Sequence, residues 1–95
     1  MSKLVGTWEL MEWTAKVGER TQRPFGGQVV GRLTYTEDGY MWATLMRTNR
    51  RALSTPTLAG ATASERAAAA AGYINYAGRY REEQGSVVHR VDVSL

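Results

Sequence analysis

His89 is the only histidine in the chain, and Val87 and Val91 flank it at alternate positions. Alternate residues of a strand share a face, so the imidazole points into an apolar interior with the valines. There it has two uses. It titrates near neutral pH, which suits a polar ligand contact or a general acid/base. It equally suits a core whose single inward polar group is satisfied by hydrogen bonds. Tyr35, Tyr40, Trp42 and Tyr80 lie in other apolar stretches. Tyrosine and tryptophan offer flat apolar faces with one hydrogen-bonding tip, a combination fit for the wall of a pocket or for plain packing. His89 and Tyr80 are the acid/base candidates; Tyr35, Trp42, Tyr80, His89 and Arg47 are the candidate ligand contacts. Arg47, Arg50 and Arg51 cluster after one strand. They could steer a carboxylate or phosphate, or simply keep a loop solvated.

Other chemistries are excluded. With one histidine and no cysteine, the chain has no usual zinc site, no disulfide and no thiol nucleophile. No metal and no cofactor is expected. Gly26, Gly27 and Gly31 match neither a phosphate-binding loop nor a dinucleotide fingerprint. A Ser-His-Asp triad would need Asp38, which sits in a hairpin turn, or Asp92, on the opposite face of the histidine's own strand. The net charge of +3 is thin for nucleic acid, which needs a broad basic surface with stacking aromatics. No window approaches the roughly 18 apolar residues of a membrane helix. The N-terminus shows no apolar leader, and a cytoplasmic location is the expectation.

The elements that must position these groups are mostly strands. The chain has 95 residues, 43% of them hydrophobic, enough for one domain with a core. Gly6-Thr7-Trp8 opens a long first strand over 4–16. Glycine allows close backbone approach, and Trp8 on the same face reads as a core plug. A bulge near Met11 or Glu12 accommodates Trp13. A weaker strand over 20–25 follows, then one in which Leu33 and Tyr35 point inward. Glu37-Asp38-Gly39 is a hairpin turn, since glycine supplies the positive φ required. Residues 40–47 form a fourth strand with two fairly apolar faces. Residues 48–61 are a long loop. Thr62-Ala63-Ser64-Glu65 fits a capping box, and the alanine run predicts a helix over about 63–77, ended by Gly78. Strands over 78–83 and 86–95 complete the chain. On the last, Val87, His89, Val91, Val93 and Leu95 share one face.

Several stretches together resemble the lipocalin-like domain family, which has a calycin-type β-barrel. They are Leu4-Val5-Gly6-Thr7-Trp8, Pro24-Phe25-Gly26, the run from Gly31 to Met41, Leu45-Met46-Arg47, Gly72 to Tyr80, and Val88 to Leu95. The Leu33-Thr34-Tyr35-Thr36 hairpin is the most specific part. The resemblance implies a mainly β, antiparallel up-and-down barrel with one helix. Members of the family usually continue for some tens of residues, with strands that close the barrel. Six strands are counted here, and an eight-strand barrel needs two more. Leu95 therefore looks like an internal position of the family domain, and a barrel left incomplete or closed by a partner is expected. An open sheet exposes its first and last strands, so a homodimer through those edges is expected too.

The resemblance implies a binding protein holding a small, mostly hydrophobic or weakly acidic ligand in the barrel lumen. An alternative is a cofactor-independent cyclase or isomerase, in which shape and a few polar groups constrain a reactive substrate. A structural or assembly domain with no ligand is the third reading. No nucleic acid and no membrane enter any of the three.

Overall fold

In a computed structural model of the protein, which describes residues 3–95, the strands form one antiparallel five-stranded sheet and a separate hairpin. The strands are β1 (Gly6–Glu9), β2 (Ala15–Val17), β3 (Arg20–Gln22), β4 (Val29–Tyr35), β5 (Tyr40–Arg47), β6 (Tyr73–Glu83) and β7 (Ser86–Ser94). The one α-helix among the described residues, α1, spans Ala63–Ala71. The main sheet runs β1-β4-β5-β6-β7, and β2 pairs only with β3. The sheet does not close, so β1 and β7 are its edges. Strands β4 to β7 pair with their neighbours in sequence, as in an up-and-down barrel, but no complete barrel forms.

The turns follow from local chemistry. Gly39 adopts φ +90° between β4 and β5. The Thr36 amide closes the hairpin on the Tyr40 carbonyl at 2.9 Å, and the Thr36 hydroxyl donates to the Asp38 carboxylate. Gln84 and Gly85 both take positive φ between β6 and β7, as a two-residue turn requires.

Three expectations are corrected. The first strand does not run to Lys16. It stops at Glu9, and residues 10–14 leave the sheet before β2 begins. This frees Trp13 to meet Phe25 edge-on at 5.5 Å. The helix ends at Ala71 rather than near 77. The capping box is present as expected: the Glu65 amide donates to the Thr62 hydroxyl, and the Thr62 amide to the Glu65 carboxylate, each at 3.1 Å. Helix propensity then loses to pairing. Tyr73, Ile74 and Tyr76 are β-formers lying opposite Met46, Leu45 and Ala43 of β5, and the Arg47 amide already bonds the Gly72 carbonyl at 2.8 Å. Gly78, expected to cap the helix, lies mid-strand instead. The third correction concerns β7. Its register slips opposite Ala77/Gly78, so Val91 pairs with Gly78 but Val93 with Ala77. The extra residue, Asp92, is a β-bulge, and it turns Val93 to the face opposite Val91 and His89.

The core lies on one face of the sheet. Tyr35, Met41 and Ala43 are buried there, with Leu4, Leu33, Leu45, Tyr76 and Tyr80 packed around them. Register explains the membership, because residues directly opposite in antiparallel strands share a face. Tyr35–Met41–Gly78 and Leu33–Ala43–Tyr76 are two such cross-strand rows. Thr34–Trp42–Ala77 is a row of the other face. Among the described residues, no helix is long and apolar enough to cross a membrane.

Candidate functional site

Three strands deliver four rings to one place. Tyr35 comes from the end of β4, Tyr76 and Tyr80 from β6, and His89 from β7, directly opposite Tyr80. Between Tyr76 and Tyr80 on that face stands Gly78, which contributes no side chain. The imidazole and the phenols meet over this gap. The Tyr35 hydroxyl lies 2.6 Å from His89 Nε2, and the Tyr76 hydroxyl 3.2 Å from His89 Nδ1. The Tyr35 and Tyr80 rings meet at a tilt of 56°, with 4.6 Å between centroids. Tyr80 spends its proton on the Thr36 carbonyl at 2.8 Å.

His89, Tyr35 and Tyr76 are neutral at pH 7. Burial pushes the His89 pKa down and the Tyr35 and Tyr76 pKa values up, those of Tyr35 aided by the neighbouring Tyr76 and Tyr80. Neutral imidazole has one N–H and one bare nitrogen. Either tautomer makes both bonds. We assign the one in which Tyr35 O–H donates to Nε2 across 2.6 Å and Nδ1–H donates to the Tyr76 oxygen across 3.2 Å, since an O–H donor makes the shorter bond. Tyr35, Tyr76 and His89 together hold three such protons, and the two bonds use two of them. The third is the hydroxyl proton of Tyr76, which has no further hydrogen-bond partner among the described residues.

Tyr76 also lines a cavity of about 560 Å³ on the same face. Leu33, Ala43, Leu45 and Ile74 form the floor of this cavity, and the segment from Trp8 to Trp13 forms its wall. Trp8 is therefore a cavity wall and not a buried plug. It is 48% exposed on the edge strand β1, where its indole N–H donates to the Leu4 carbonyl at 2.8 Å. The lining is mostly apolar, and the spare Tyr76 hydroxyl proton stands at its β6 side.

Of the residues singled out from sequence, Tyr35, Tyr80 and His89 come together. Trp42 does not join them: it stands on the opposite face, 48% exposed. Arg47 lies elsewhere too, with its guanidinium over the Phe25 ring at 5.6 Å and beside Arg50 and Arg51 in a second cavity. Tyr40, likewise on the outer face, accepts a 2.7 Å bond from Arg79. Tyr76 is hidden in the sequence because the alanine run extends the expected helix through it. The signal was present, since Ile74, Tyr76, Gly78 and Tyr80 alternate as one strand face.

The depressed His89 pKa has a testable consequence for stability. An unfolded histidine takes its proton near pH 6.5, whereas folded His89 takes it only at lower pH. Between those two values the unfolded state binds more protons, so acid favours unfolding. Urea midpoints should therefore fall as the pH drops through about 6.5 and stop falling, on this account, below the folded pKa. In His89→Gln this part of the pH dependence should flatten.

Comparison with curated proteins and with solved structures finds no match. The family comparison does find one. A family model described as a lipocalin-like domain matches residues 5–95, which takes in every strand, the capped helix and both cavities, and the chain belongs to that lipocalin-like domain family.

Proposed function

We propose that the protein binds a small, mostly apolar molecule carrying one hydrogen-bond acceptor, such as a carbonyl. The observation that supports this reading is the Tyr76 hydroxyl, held 3.2 Å from His89 Nδ1 at the wall of a 560 Å³ apolar cavity, whose proton is spare in the assigned tautomer. The volume is in the range of small-molecule sites, and apolar walls with a few placed polar groups are what such sites use. His89 acts as a positioning residue. It accepts from Tyr35 and donates to Tyr76, which turns the Tyr76 proton outward to the ligand. The expected weakly acidic ligand through Arg47 has no support here, because Arg47 lies away from this cavity. The arrangement favours binding over acid/base turnover, since both nitrogens of the imidazole are already engaged.

The test uses a fluorescent naphthyl ketone, 6-propionyl-2-(dimethylamino)naphthalene, and naphthalene as its carbonyl-free counterpart. The ketone should bind saturably with blue-shifted emission. Tyr76→Phe should weaken the ketone roughly threefold to tenfold, the worth of one hydrogen bond, and leave naphthalene unchanged. Equal weakening of both probes, or no saturable binding of either, would contradict the proposal.

A further inference from the structure

A second cavity, of about 360 Å³, lies between α1 and the loop after β5. Its walls include Arg47, Arg50, Arg51 and Glu65. Two of the arginines are held in place. Arg50 packs over the Tyr73 ring at 5.8 Å and donates through one terminal nitrogen to the Gly72 carbonyl at 3.1 Å. Arg47 packs over Phe25. The Arg51 side chain has no hydrogen-bond or ion-pair partner among the described residues.

Glu65 does not neutralise them. Among the described residues it is the only carboxylate of the lining. Its oxygens are taken by the Ser54 amide at 2.7 Å, the Ser54 hydroxyl at 2.8 Å and the Thr62 amide at 3.1 Å. These bonds cap the helix and tie the loop to it. None reaches an arginine. Three positive charges therefore face one negative charge across the lining, which leaves two in excess, with most guanidinium donors unspent. Like charges gathered at one cavity disfavour each other and are relieved by an anion. Arginine forks match phosphate and carboxylate oxygens in pairs.

We infer that this cavity is a binding site for a small dianion, best matched by a phosphate monoester, held by Arg47, Arg50 and Arg51 beside α1. The excess of two charges matches a doubly ionised phosphoryl group. The volume exceeds that of a bare phosphate and leaves room for a small organic group. The site is separate from the apolar cavity and rests on none of the residues used there.

Phenyl phosphate and inorganic phosphate serve as probes, titrated at about pH 8, where a phosphomonoester is a dianion, at constant ionic strength set with sodium chloride. The readout is the ¹⁵N-edited NMR signal of the arginine side chains. Saturable shifts of the Arg50 and Arg51 Nε–H signals are expected for both probes, with phenyl phosphate the tighter. Arg51→Gln, a change at a side chain without partners, should weaken binding about tenfold, the worth of a charge-assisted hydrogen bond. Arg50→Lys keeps the charge but loses the fork and the ring contact, and should weaken binding by a similar factor. Shifts that grow linearly without saturation, or equal affinity in Arg51→Gln and the parent, would overturn the assignment. So would succinate binding as tightly as phenyl phosphate, which would make the site a dicarboxylate site.

Discussion

Gly78→Ala should cost the domain about 3 kcal/mol, the upper range for forcing an extra carbon into a packed site. A Cβ built on Gly78 falls 2.0 Å from the Arg90 carbonyl oxygen and 2.9 Å from Val91 Cα. Both are backbone atoms of the neighbouring strand, so no side-chain rotation relieves the clash. Relief requires β7 to move away from β6 at the bulge, and β7 carries His89. A domain of this size has a total stability of roughly 5–14 kcal/mol, so a large part would vanish. Urea denaturation followed by tryptophan fluorescence measures the loss. Gly85→Ala is the matched control. Its Cβ meets open space, and only the left-handed backbone is strained, at about 1 kcal/mol. Similar losses for both variants would mean that the close approach of β6 and β7 is not what requires glycine at 78.

The largest expected effect on function comes from Ala43→Phe. Ala43 is 2% exposed, lies between Leu33 and Tyr76 in its cross-strand row, and lines the apolar cavity. A phenyl ring there would fill the space that the ligand needs. Affinity for the naphthyl ketone should fall by roughly a hundredfold, a loss of about 3 kcal/mol. Stability should fall as well, by about 1–3 kcal/mol, because Ala43 also belongs to the buried core and part of the ring presses on packed neighbours. The melting temperature and the titration, measured on the same sample, separate the two effects. Unchanged affinity in a folded variant would place the probe somewhere else.

Much of this arrangement is legible in the sequence. The alternation of Val87, His89 and Val91 places the imidazole inside, where burial now keeps it neutral. The Leu33-Thr34-Tyr35-Thr36 hairpin with Gly39 gives β4, β5 and the inward Tyr35. Thr62 and Glu65 mark the helix start to the residue. What strand periodicity alone leaves open is which apolar face of β5 turns inward. Residues 40–47 are apolar on both sides, and only the pairing of Met41 with Tyr35 and Gly78 settles the matter, sending Trp42 out. Pairing also decides residues 72–77. Local propensity extends the alanine helix, but β5 needs a neighbour, and Ile74 and Tyr76 supply it. The bulge at Asp92 is equally nonlocal: it depends on the tight passage of β7 over Gly78. The wall from Trp8 to Trp13 follows from the strand breaking after Glu9, whereas the irregularity at Trp13 reads in the sequence only as a bulge near Met11 or Glu12.

The proposed ligand sits in the apolar cavity with its acceptor at Tyr76. Intermolecular nuclear Overhauser effects between the naphthyl ketone and the isotope-labelled protein test this most directly. Contacts are expected from the naphthyl protons to the methyl groups of Leu33, Ala43, Leu45 and Ile74, and from the propionyl protons to the Tyr76 ring. Contacts confined to the outer face around Trp42 and Val93, or to the loop around Arg50, would contradict it.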